Sequence, residues 1–522
     1  MERTLHLLDT TLRESAQSEG ISFSVEDKWS IFQTLSDFGL SYIEAGNPGS
    51  NQKDRAFFER LKGEPRSHTA KAAAFGATCR KYTAPEEDPQ CRALKESGTP
   101  TVVLFGKSWD LHVLEVLGCP LEENLRMVRD TVAWFKAAGR EVIYDAEHFF
   151  DGARENPDYA LKTLEAAVEG GADVLCLCDT NGGTFPGEIT RLTALVCRSF
   201  PAEVGIHCHN DGGLAVANSM AAVEAGARHV QGTFLGYGER CGNANLCTLI
   251  GNLQLKGGWR CVPEGSVKKL TRTARYLSDI CNVSLPSGEP YVGGAAFAHK
   301  AGMHAAGVRK VSGSFEHVAP EAVGNRRRFL VSEMAGRALL EEKIRSVVPG
   351  LQLTEDQVGE IAREIKELEY HGYQFEAADA SFELTVRKVL GLYTPSFELL
   401  QFKTIGEQPA KRDCSATAVI KIRVGEREEI SAAEGNGPVN ALDNALRRAL
   451  CVFYPQIRAV RLNDFKVRVI DSKDATAARV RVLITSTDGE SAWTTVGVSG
   501  DVIEASWRAL VDSIEYKLLR NM

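Results

Sequence analysis

The sequence predicts an α/β chain built as a (β/α)8 TIM barrel, then a mainly helical linker region, then a C-terminal α+β domain. Three observations carry this. Up to about residue 260, eight short runs rich in Val, Ile, Ala and Leu alternate with segments of helical period, the mark of repeated βα units. Ionisable residues crowd the ends of those runs. Beyond about residue 395 the pattern changes to strand-like alternation broken by two helical stretches.

Taken in order, the runs are "TLHLLDTTL", "SYIEAG", "TAKAAAF", "PTVVLFG", "EVIYDAEHF", "ADVLCLCDT", "VGIHCHND" and "RHVQGTF". Eight parallel units in roughly 250 residues close most economically as a barrel, with its chemistry at the carboxyl ends of the strands. The intervening helices have legible starts. Ser24 stands three residues before Asp27, Asn156 precedes Pro157, and Pro120 leads "LEENLRMVRDTVAWFKAAG", which stops at Gly139, where a left-handed cap is easy. In the linker, "LTEDQVGEIAREIKELEYHG" opens on a Thr354/Gln357 capping box. In the tail, "SATAVIKIRVG", "VRLNDFKVRVI" and "ARVRVLITS" alternate as strands, and "GPVNALDNALRRAL" and "GDVIEASWRALVDSI" each follow strands and a glycine. That weak repeat predicts two copies of a strands-then-helix unit. The expected domains are residues 1–265, 266–394 and 395–522.

Composition narrows the function. Of 522 residues, 43% are hydrophobic and 25% charged, as in soluble globular proteins. A net charge of -8 argues against nucleic acid, since phosphate binding needs a concentrated basic surface. No apolar run approaches the ~20 residues needed to cross a bilayer, so no membrane role is expected. The thirteen cysteines are scattered, without C-x-x-C spacing, and the first residues lack a signal-peptide pattern. A cytoplasmic location fits.

The chemistry centres on "GIHCHND". Alternate residues of a strand share a face, so His207 and His209 point together and Cys208 points away. Glu14, at the end of the first run, lies next to them across the barrel's closure. Two neutral imidazoles, a carboxylate and an amide oxygen such as that of Asn243 form a mixed N/O set suited to Mn, Mg, Zn or Co. Arg13 is read either as a clamp on an anion or polarised carbonyl, or as a rim salt bridge. Asp145 and Glu147 point inward from the fifth strand, as a general acid or as anchors. Glu44, Lys107, Asp179 and Thr180 also fall at strand ends, and "GYGERCGNANL" brings Glu239 and Arg240 to the same mouth.

Three of these motifs, "LDTTLRE", "GIHCHND" and "GYGERCGNANL", resemble signatures of the acyl-CoA-condensing synthases, the family of isopropylmalate, homocitrate and citramalate synthases. The likeness extends to "AFAHKAGMHAAGV" in the linker and to the tail. Within the family, "FGKSWDLHV", "EVIYDAEHFFDG", "HGYQFEAADASFEL" and "GVSGDVIEASWRALVDSIEYKL" resemble the long-form citramalate branch. The resemblance implies a Claisen-type condensation of acetyl-CoA with pyruvate in isoleucine biosynthesis. It implies a divalent metal on Glu14, His207, His209 and Asn243, and substrate contacts from Arg13, Glu44 and Thr180. Arg13, Glu147 and His304 are the implied catalytic groups, with His304 supplied to a partner subunit. The tail is implied to make a homodimer and to bind an isoleucine effector. The chain departs from the usual family pattern at Glu14 and Ser15, where many members carry Asp-Gly, and at Phe315, where relatives tend to carry tyrosine. Rival readings are the same condensation on another 2-oxo acid, a bond-breaking lyase, and a non-catalytic amino-acid sensor.

Overall fold

A computed structural model describes residues 3–64, 68–299, 304, 307–308, 310–329, 337–348, 350–375, 378–411, 414–470, 478–489 and 491–520. The chain forms two compact units: Met1–Phe297 with Glu316–Arg327, and Ala298–Phe315 with Arg328–Met522.

The first unit is a closed barrel of eight parallel strands: β1 (His6–Asp9), β2 (Tyr42–Glu44), β3 (Lys71–Ala77), β4 (Thr101–Lys107), β5 (Glu141–Glu147), β6 (Val174–Asp179), β7 (Glu203–Cys208) and β8 (His229–Gly232). β8 closes on β1 through the pairs His6 with His229 and Asp9 with Gly232. Both faces of each strand are covered, which is why the strands read as nearly continuous apolar runs. The period of two still sorts the side chains. On β5, Val142, Tyr144 and Ala146 pack outward in the large core shared with the helices, while Ile143 joins Leu8, Ala73, Val103, Val174 and Cys176 inside the barrel. Asp145 and Glu147 continue the inward row toward the mouth. On β7 the same rule sends Val204, Ile206 and Cys208 outward and leaves Gly205 and His207 inward, with His209 one step beyond the strand.

The helix starts form as their sequences require. Ser24 and Asp27 close a reciprocal capping box on Val25–Phe38, Asn156 caps Pro157–Gly170 by accepting from Tyr159 N, and Leu121–Ala137 runs out just before Gly139 at φ 73°. "TLHLLDTTL" does not remain extended: the strand stops at Asp9 and Thr11–Glu14 coils into one helical turn.

In the second unit, the helices Arg337–Val347, Glu355–Tyr370 and Asp379–Val389 share a core through Ile344, Ile361 and Phe382, and Thr354 with Gln357 makes the capping box. The tail holds two antiparallel three-stranded sheets. β9 (Glu398–Lys411), β10 (Cys414–Val424) and β11 (Arg427–Gly435) are followed by the helix Pro438–Leu450. β12 (Arg461–Val469), β13 (Val480–Thr487) and β14 (Ala492–Ser499) are followed by Val502–Arg520. Ile420, Ile422, Leu442, Leu446, Val482, Ile484, Leu510 and Ile514 join both copies in one core. The repeat is real, and each copy has a full sheet. Among the described residues no helix is long and apolar enough to cross a membrane.

Candidate active site

The mouth at the carboxyl ends of the strands holds a cavity of about 220 Å³ lined by Arg13, Glu14, Phe75, Phe105, Asp145, Glu147, Cys178, Thr180, His207, His209 and Glu239, with Gln17 at its rim. Arg13 and Glu14 reach it from the helical turn after β1. On a strand they would face opposite ways, whereas neighbours on a helix are ~100° apart and both can enter one mouth. Asp9 anchors that turn: its carboxylate accepts from Thr11 N and Oγ1, each at 2.9 Å, and Thr11 Oγ1 accepts from Phe234 N at 2.9 Å.

Glu14, His207 and His209 are buried, with ligand atoms within 4.8 Å of one another. Asn243 joins them through the bridge pairing His209 with Asn243, and its Nδ2 donates to Glu14 Oε2 at 3.4 Å. Two buried atoms here have no hydrogen-bond partner, Asn243 Oδ1 and His209 Nδ1. Leaving such atoms unmet is costly unless something else is bound by them. A carboxylate, two imidazoles and an amide oxygen, two of them with unpartnered buried atoms, fit a divalent cation with N/O preference.

Charge is arranged accordingly. Burial opposes ionisation of Glu14, but the charge of Arg13 above all, with a hydrogen bond from Asn243, brings its carboxyl down to about 2. Burial lowers His207, and burial together with His207 takes His209 down to about 4. The site therefore presents a carboxylate and two neutral imidazoles, the protonation states that a cation needs.

Arg13 is held on three sides. Its NH1 contacts Glu14 at 2.6 Å, its Nε donates to Glu44, and its guanidinium lies 3.7 Å from the centre of the Phe75 ring. Glu44 is fully buried, and burial outweighs Arg13 to push its carboxyl up to about 7. Phe75 stacks on Phe105 with ring centres 5.0 Å apart, giving the cavity one apolar wall. Lys107 pairs with Glu147. Thr180 accepts from His148 N through Oγ1 at 2.9 Å, and its carbonyl accepts from Arg240 NH2 at 2.6 Å. Arg240 also grips Asp211, tying the last loop across the mouth. Asp179 ends β6 as expected and accepts there from Thr184 N and Oγ1.

The glycines of "GYGERCGNANL" allow this loop to fold tightly. A Cβ on Gly238 would stand 2.1 Å from Asn243 Nδ2, and one on Gly242, at φ +87°, would stand 2.0 Å from Gly236 O.

The barrel thus brings together Arg13, Glu14, Glu44, Glu147, Thr180, His207, His209 and Asn243. His304 belongs to the second unit, where it is exposed and stacks on Phe315 with ring centres 4.3 Å apart. Residues 300–303 and 305–306 of its motif lie outside the described residues. Sequence reasoning did not single out Phe75 or Gln231, although both stood in quoted strands at inward positions of the period-two pattern.

Residues 4–280 match the HMGL-like family, residues 291–372 the homocitrate synthase post-HMGL domain-like family, and residues 376–518 the LeuA allosteric (dimerisation) domain. An (R)-citramalate synthase of Aquifex aeolicus is 49% identical, covering 100% of this chain and 99% of its own. One of Synechocystis is also 49% identical, covering 99% and 96%. A probable 2-isopropylmalate synthase of Methanopyrus kandleri is 32% identical, covering 98% of each. The chain belongs to the HMGL-like family and, along its whole length, to the (R)-citramalate synthases within it.

Proposed function

We propose that this chain is an acyltransferase that condenses acetyl-CoA with pyruvate and water to give (R)-citramalate and CoA. The observation that carries this most directly is end-to-end similarity to (R)-citramalate synthases, joined to a mouth whose groups suit the chemistry. The 2-isopropylmalate synthases are more distant at 30–32% identity, so condensation on a larger 2-oxo acid is the weaker reading.

Glu14, His207, His209 and Asn243 would hold a divalent metal ion (Mn, Mg, Zn or Co), which when bound supplies Lewis acidity toward the oxygens of a 2-oxo acid. Arg13, already fixed by Glu14 and Glu44, offers its remaining N–H groups to the ketone oxygen, where negative charge develops. Thr180 borders the same space, Glu44 would act on the substrate through its bond to Arg13, and the Phe75/Phe105 wall suits a substrate ending in a methyl group. His304, supplied by a partner subunit, would take a proton from the acetyl methyl group. That carbon then bonds to C2 of pyruvate, and the former ketone oxygen is protonated to a hydroxyl. Glu147, paired with Lys107, would relay protons at the mouth. Water then cleaves the thioester and CoA leaves as the thiol.

The division into catalytic residues 1–265, linker 266–394 and regulatory residues 395–522 belongs to the same proposal. So do a homodimer through the tail, isoleucine as effector there, a place in isoleucine biosynthesis, and a cytoplasmic setting in keeping with free cysteines.

The test is thiol release from acetyl-CoA with pyruvate, 2-oxobutanoate, 2-oxoisovalerate and 2-oxoglutarate, with and without a chelator. Preference for pyruvate and loss of turnover on chelation are expected. Equal or greater turnover with a larger acid would overturn the substrate assignment.

A further inference from the structure

The amide of Gln231 is buried between His207 and Asp145. Gln231 on β8 pairs in register with His207 on β7 and is fully shielded from solvent. Its Oε1 lies 3.1 Å from His207 Nδ1, and its Nε2 donates to Asp145 Oδ1 at 2.7 Å. Asp145 comes from β5, so this second bond crosses the barrel interior. The order of donors and acceptors follows. Asp145 Oδ1 accepts from the amide nitrogen, which turns the amide oxygen toward His207. An amide oxygen can only accept, so the hydrogen between it and Nδ1 belongs to the imidazole. With one proton on a neutral ring, Nε2 is left bare, and Nε2 is the nitrogen free to meet a cation beside Glu14.

His209 supplies the contrast. Its Nδ1 is buried and has no partner, so nothing comparable selects its tautomer.

We infer that Gln231 and Asp145 are positioning residues that lock His207 as the Nδ1–H tautomer and fix its ring angle, presenting Nε2 as a ligand before a cation arrives. The inference rests on the metal reading proposed above and deepens it: one histidine of the pair is preset by a cross-barrel relay and the other is set by the ion. Partners of this kind behind a ligating histidine are worth about 10- to 100-fold in metal affinity.

The test uses the full-length chain without substrate, measuring Mn2+ affinity from the electron paramagnetic resonance signal of free ion. Gln231→Met keeps length and volume but removes both bonds, and is expected to weaken binding 10- to 100-fold with the thermal transition retained. Gln231→Glu keeps an acceptor for Nδ1–H and is expected to restore most of the affinity. A direct reading needs no variant: 15N spectra of ring-labelled, metal-free protein should place the His207 proton on Nδ1, its signal assigned by its loss in His207→Asn. Wild-type Mn2+ affinity in Gln231→Met, or a proton on Nε2 in the wild type, would overturn the inference. A wild type that binds no Mn2+ would instead remove the metal reading beneath it, while the nitrogen spectra would still decide the tautomer.

Discussion

Replacing Glu44 by Gln should stabilise the barrel at neutral pH and leave it unchanged in acid. Glu44 is fully buried at the end of β2, where burial wins over Arg13 and moves its carboxyl from 4.5 to about 7. Between those values the folded chain keeps a proton that the unfolded chain has lost. Stability therefore falls as pH rises through that window and levels off above it. The gap corresponds to roughly 3 kcal/mol, at about 1.4 kcal/mol for each tenfold change in proton affinity. Gln resembles the protonated acid in shape and charge, so Glu44→Gln should match the wild type near pH 4.5 and lead it by up to about 3 kcal/mol near pH 7.5. Hydrogen–deuterium exchange of peptides covering β2 and β3, in metal-free protein and corrected for intrinsic rates, reads this difference. A pH-independent difference would refute the argument. So would a wild type that gains stability with rising pH, since the Arg13 pair would then outweigh burial.

Three further outcomes are expected. His229 at the start of β8 is fully buried with neither ring nitrogen partnered, and burial takes it down to about 4; its contribution is lost as pH falls from 6.5 to 4, so the stability gap between wild type and His229→Leu should shift against the wild type by up to ~3 kcal/mol in urea titrations across that range. Gly242→Ala drives a Cβ into Gly236 O and disturbs the Asn243 N to Gly236 O bond, so Mn2+ affinity by calorimetry should fall about tenfold or more while circular dichroism is unchanged. Asp9→Ala removes both acceptors of Thr11 and frees the turn carrying Arg13 and Glu14; a stability loss of about 2–4 kcal/mol is expected in urea, with a larger proportional loss of turnover than of thermal stability.

Much of the barrel could be read from the chain because parallel strands covered on both faces are short, apolar and regularly spaced, and because period two alone carries Asp145, Glu147, His207 and His209 to one mouth. The turn Thr11–Glu14 was not legible, since "LDTTLRE" carries no helical period over so few residues and the coil is imposed by the Asp9 carboxylate together with Phe234, a contact more than two hundred residues away in sequence. Gln231 escaped for a related reason. A glutamine within an apolar strand has no motif, and its role arises from Asp145, three strands away across the barrel interior. In the tail, strands such as β11, with only two buried residues, lack the apolar alternation that marked their neighbours, so the sequence disclosed the repeat but not every strand in it.

The most direct test of the account is a crystal of the full-length chain soaked with Mn2+ and pyruvate, with anomalous scattering locating the ion. The ion is expected on Glu14, His207, His209 and Asn243, with pyruvate beside Arg13. An ion bound elsewhere, or a mouth in which these four side chains hold neither ion nor pyruvate, would contradict it.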